Sequence, residues 1–154
     1  MVADDPMSPQ PPAADRPDGK PILYRTIALT MAILFAVVGL LFLFFSGDVL
    51  ALFNRISASI GIPGGPAEGS GFYLILAVGY MYLVSLIAFL MWRYPRERLL
   101  PLLLINGKAA SALLSVALLV WDRPLLIYMA NAVVDGAIAG GVYLLYRKSA
   151  GQRS

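Results

Sequence analysis

The sequence predicts an all-α fold: a polytopic membrane four-helix bundle with a short amphipathic interfacial helix in the first loop. Three observations lead there. The chain is divided into four predominantly apolar runs, each close to the length of about 20 residues that a helix needs to cross a bilayer. Of its 154 residues 59% are hydrophobic and 14% charged, whereas a soluble domain carries roughly 25% charged residues. The basic residues, which give a net charge of +3, gather at alternate ends of the runs, as the orientation of membrane helices requires.

Residues 1–20 are rich in Pro, Ala and Asp and have no apolar periodicity, so they read as a disordered tail. A transmembrane domain follows over 21–148, and 149–154 form a short C-terminal tail. The first span covers about 22–45. It is longer than the 7–15 apolar residues of a leader's core, and no small-residue cleavage motif follows Phe44-Phe45-Ser46-Gly47. It therefore reads as a retained helix. Hydroxyls such as those of Thr26 and Thr30 ordinarily bond back to their own helix, so neither they nor Gly39 receive a role.

The longest connection runs from Ser46 to Gly71. Val49, Leu52, Phe53, Ile56 and Ile60 recur there at helical spacing and make one apolar stripe, opposite Asp48, Asn54, Arg55 and Ser57. A helix lying in the membrane interface satisfies that pattern. Gly61-Ile62-Pro63-Gly64-Gly65-Pro66 ends it and turns the chain.

The second, third and fourth spans cover about 72–92, 99–120 and 125–146. Their separators are Arg93-Tyr94-Pro95-Arg96-Glu97-Arg98 and the tight Trp121-Asp122-Arg123-Pro124, with Pro124 read as the first residue of the fourth helix. Aromatic residues mark the span ends at Tyr73, Trp92, Tyr94, Trp121 and Tyr146, where their rings suit the interface. Arg16, Lys20, Arg25, Arg93, Arg96, Arg98, Arg147, Lys148 and Arg153 fall on one side, and only Arg55 and Arg123 on the other. The positive-inside rule then puts both termini in the cytoplasm and the first loop outside.

Two ionisable residues stand deep in the apolar runs, Lys108 in the third and Asp135 in the fourth. An antiparallel hairpin turning between Asp122 and Arg123 brings them to heights that differ by only about 3 Å at 1.5 Å rise per residue. Each belongs to a polar stripe: Lys108, Ser111 and Ser115 on one helix, Tyr128, Asn131 and Asp135 on the other. Small residues mark the same contact at four-residue steps. These are Gly107, Ser111 and Ser115 against Ala132, Gly136 and Gly140, and such rows let helix backbones approach closely in lipid. From the second span, Tyr82 and Ser85 lie at a depth that lets them join the cluster. Asn106 points to a different face of its helix, within reach of a neighbouring carbonyl. Two roles stay open for the Lys108–Asp135 pair: a neutralised clamp that fixes helix register, or a site for a ligand or proton.

The chain has no cysteine and no histidine, which excludes thiol catalysis, disulfides, haem ligation by those residues and ordinary zinc sites within it. A Ser–Lys pair at Ser111 and Lys108 remains formally available. An aspartate beside the lysine opposes it, because that chemistry needs a neutral amine. No nucleotide loop or calcium-loop pattern is present, and Asp135 is the only carboxylate inside the spans. No metal site or cofactor is expected. No basic face with stacking aromatics lies outside the spans, so nucleic acid is not an expected partner.

The segment Leu104-Ile105-Asn106-Gly107-Lys108-Ala109-Ala110-Ser111, followed by Tyr128 through Val134-Asp135-Gly136, resembles the DoxX-like group of small bacterial four-helix membrane proteins. In some members a Lys and a Ser near the start of the third span and an Asp-Gly in the fourth recur. The resemblance covers the C-terminal half and implies the four-helix architecture in a bacterial inner membrane. The long first loop and the lack of cysteine depart from the group, so a redox role attributed to some relatives is not carried over. The resulting expectation is a non-enzymatic accessory or assembly component, in contact with the lipid bilayer and with a membrane-protein partner or further copies of itself. The alternative is a carrier or binding protein for a small molecule, lipid or proton, built on the Lys108–Asp135 site.

Overall fold

A computed structural model describes residues 22–65, 71–122 and 124–151. The tail at 1–20, Pro66, Arg123 and residues 152–154 lie outside the described residues. Those described form five helices: α1 (Ile22–Phe44), α2 (Ser46–Ser59), α3 (Gly71–Arg93), α4 (Leu99–Trp121) and α5 (Leu126–Gly151). Four of them, all except α2, are long and apolar enough to cross a membrane. The chain is a multi-pass membrane protein with the architecture of a helical bundle.

Helix boundaries follow local chemistry. Pro101 sits in the first turn of α4, where its missing N–H leaves no helix bond unmade. Pro124 does not begin α5. Leu126 is its first residue, and the carbonyl of Leu125 just before it accepts from the amides of Tyr128 and Met129, so the proline precedes the helix by two residues. At its other end α5 continues to Gly151 and carries the helix into the segment read as a tail.

The spans pack as two antiparallel pairs, α1 with α3 and α4 with α5, joined by a lighter contact between α3 and α4. On α1 the buried residues are Tyr24, Ala28, Ala32, Phe35 and Gly39, at steps of four, four, three and four. Small residues dominate that face because bulk there would hold the partner away. A Cβ on Gly39 would stand 3.2 Å from the Cβ of Met81. The Ser85 hydroxyl donates to the Ala32 carbonyl at 2.7 Å. At the end of the pair the Arg25 guanidinium lies 5.8 Å from the centre of the Trp92 ring.

Helix α2 follows α1 after a single break at Phe45. Its stripe does not all face the bundle. Phe53 and Asn54 are half-buried and Ser57 is buried, while Leu52, Ile56 and Ile60 are exposed. In a membrane interface the outward apolar residues meet acyl chains, so burial against lipid replaces burial against protein. The helix ends in a Schellman turn. The amide of Ile62 donates to the Ser57 carbonyl at 2.9 Å, and that of Gly61, at φ 71°, to Ala58 at 3.3 Å. The Asn54 amide then holds Gly65 by two bonds, donating to its carbonyl at 3.1 Å and accepting from its N–H at 2.9 Å.

Candidate functional site

The α4–α5 hairpin sets the geometry of the polar seam. Pro101, Leu104, Lys108 and Ser115 are the buried residues of α4, again at helical steps. Asp135, Ala139 and Val142 on α5 are buried, as is Leu125 just before it. Lys108 Nζ donates to Asp135 Oδ1 at 2.7 Å. The two residues are 1% and 2% exposed, so this contact is closed to lipid and to water.

All four spans converge on the ammonium. It lies 4.1 Å from the centre of the Phe35 ring of α1 and 4.9 Å from that of Tyr80 of α3. The faces of aromatic rings carry negative potential, and a desolvated cation gains about 2 kcal/mol from such a contact. Lys108 therefore has a carboxylate on one side and two ring faces on others. The Tyr80 hydroxyl donates to the Gly107 carbonyl at 3.1 Å, which fixes that ring next to the lysine. Asp135 is satisfied on one oxygen: Oδ2 is buried and has no hydrogen-bond donor among the described residues.

Toward the hairpin turn, the Asn131 amide donates to the hydroxyls of Ser111 at 3.0 Å and Ser115 at 2.7 Å. One side chain of α5 thus ties two successive turns of α4. Tyr128 is half-buried one turn further along.

The other candidates divide. Tyr82 is 68% exposed and faces away from the seam, because Tyr80, two residues earlier on the helix, takes the inward position. Ser85 bonds to α1 rather than to the cluster. Among the small residues, a Cβ on Gly136 would meet Ala112 at 3.9 Å, an ordinary contact, and Ala132 is half-buried. On Gly107 or Gly140 a Cβ would meet nothing within 4 Å, so neither is a point of close approach between helices. Gly107 acts through its carbonyl instead, and Gly140 is exposed. Asn106 is also exposed, and its amide donates to the Leu102 carbonyl of its own helix at 2.8 Å.

Sequence reasoning missed Phe35 and Tyr80. The signal for Tyr80 lay in its position, since it shares a helical face with Val84, Ala88 and Met91, the inward row of α3. Phe35 carries no signal beyond its apolar surroundings. Among the described residues, no three His, Cys, Asp or Glu side chains gather as metal ligands. Chemically the site is an ion pair with one carboxylate oxygen to spare, inside a shell of aromatic and aliphatic groups.

No family model, no curated protein and no solved structure matches this chain. The resemblance to the DoxX-like group rests on the quoted residues alone.

Proposed function

We propose that the protein is a non-enzymatic component of a bacterial inner membrane, with both termini cytoplasmic, that assists or assembles with another membrane protein. The observation that carries this reading is the closed Lys108–Asp135 contact, held by side chains of all four spans. A charged pair sealed in this way works as a clamp, since truncating either partner strands a charge at a cost of about 3–5 kcal/mol. With its ionisable groups spent on register, the bundle offers apolar outer faces as its main asset. Extraction in a mild detergent, followed by mass spectrometry of co-purifying proteins, tests the reading. A stoichiometric membrane-protein partner is expected, and a stable, functional protein that purifies with none contradicts it.

A second reading has one specific observation in its favour. The free Asp135 Oδ2 is a buried acceptor available to a proton or to a donor on a small ligand. Under this reading Asp135→Asn abolishes binding or transport while the fold survives. Unfolding of that variant supports the clamp.

A further inference from the structure

We infer that the protein self-associates in the bilayer through the outward face of α4, with the Asn106 amides of two copies hydrogen-bonded to each other across a two-fold axis. This inference is independent of the accessory role, because it concerns a second copy of the chain and not a different partner.

Asn106 is a polar group in the wrong solvent. Asn106 lies in the eighth position of α4, within the apolar span, and is exposed. One N–H bonds back to Leu102, which leaves the second N–H and the carbonyl oxygen directed out of the bundle. Lipid tails supply neither donor nor acceptor, so an amide there gains from a partner helix. Thr26 and Thr30, also exposed on a span, differ in kind, since a hydroxyl can spend its one proton on its own helix.

The surrounding residues have the pattern of a helix–helix seam. Leu99, Leu103, Asn106, Ala110 and Leu113 follow alternating steps of four and three, and Val120 continues the row seven residues on. All are exposed, Leu113 and Val120 to more than two thirds. This is the spacing of a heptad interface, in which a single central Asn fixes register between like helices. Ala110, one turn beyond Asn106, leaves room for close backbone approach.

Self-complementarity identifies the occupant. A primary amide carries a donor and an acceptor side by side. Two identical amides related by a two-fold axis satisfy each other, residue against the same residue, as an isologous interface requires. Two copies inserted in the same orientation bring Asn106 to one depth without further adjustment. The charged residues at the ends of the row, Arg98 and Asp122, lie beyond the span, where solvent and salt weaken repulsion between like ends.

The absence of cysteine makes the test direct, because any disulfide between copies must come from an introduced residue. The full-length chain is reconstituted in phosphatidylcholine–phosphatidylglycerol vesicles. Leu103→Cys and Leu113→Cys are expected to oxidise to dimers, while Leu34→Cys on α1 and Val133→Cys on α5, equally exposed, stay monomeric. Dimer affinity in the same vesicles, read by single-molecule energy transfer, should fall about threefold to thirtyfold in Asn106→Leu and be retained in Asn106→Gln. Thermal unfolding of each variant confirms the intact bundle, which is expected because Asn106 faces outward. Three results overturn the inference: no dimer from the α4 cysteines, equal cross-linking from α1 or α5, or an unchanged affinity in Asn106→Leu.

Discussion

The two helix pairs of this bundle are held by different means. Between α1 and α3 the contact is made of small and apolar residues, with Gly39 so near Met81 that an added Cβ would stand 3.2 Å from the Met81 Cβ, and with the Ser85 hydroxyl on the Ala32 carbonyl. Between α4 and α5 the contact is a polar ladder, with Lys108 on Asp135 and Asn131 on two serines. Lipid removes the hydrophobic drive that joins helices in water, so both pairs rely on packing and hydrogen bonds. The α1–α3 pair uses mainly the first, and the α4–α5 pair adds the strongest form of the second. A packed pair is sensitive to added volume, and a polar pair to an unmatched partner.

Perturbations that break this contrast fall in a definite order. The largest effect belongs to Asp135→Asn, which leaves the Lys108 ammonium buried against a neutral amide. It should destabilise the bundle by about 3–5 kcal/mol, read by reversible unfolding in bicelles. Gly39→Val should follow at about 1–3 kcal/mol, because its branched side chain enters space that the Met81 Cβ already fills. Asn131→Leu removes two hydrogen bonds from the α4–α5 ladder and should lower stability by about 1–2 kcal/mol in the same assay. Ser85→Ala deletes one bond from the α1–α3 contact and should cost about 0.6 kcal/mol, the average for such bonds in membranes. At the bottom stands Gly140→Ala, whose new methyl meets nothing within 4 Å, so unfolding should be unchanged or slightly improved. A Gly140→Ala loss as large as that of Gly39→Val would erase the distinction between the pairs.

The same contrast explains what the sequence made legible. Four spans and an extra helix in the first loop are evident from apolar length and periodicity, and the structure has them. Lys108 and Asp135 are visible because an ionisable residue in an apolar run is conspicuous, and hairpin arithmetic relates their heights. The polar ladder is readable for the same reason. The α1–α3 interface is not, because in an almost wholly apolar helix neither face differs in hydrophobicity. Only size marks the buried row at Ala28, Ala32 and Gly39, and small residues occur on lipid-facing surfaces as well. Gly136 and Gly140 illustrate the converse: they belong to a small-residue row that reads as packing, yet both are exposed. Tyr82 and Tyr80 differ by two positions on one helix, about 200° of rotation, so only the inward row tells them apart. Phe35 contributes through a ring face, a role that no spacing announces.

The Lys108–Asp135 contact has the proposed role of a clamp on helix register. A double-mutant cycle on reversible unfolding, with Lys108→Met, Asp135→Leu and the two combined, tests that most directly. Each single change should destabilise by about 3–5 kcal/mol, because each strands one buried charge, and the double variant should recover most of the loss, since two apolar side chains need no counter-charge. Single variants as stable as the parent, or losses that simply add in the double, would contradict it.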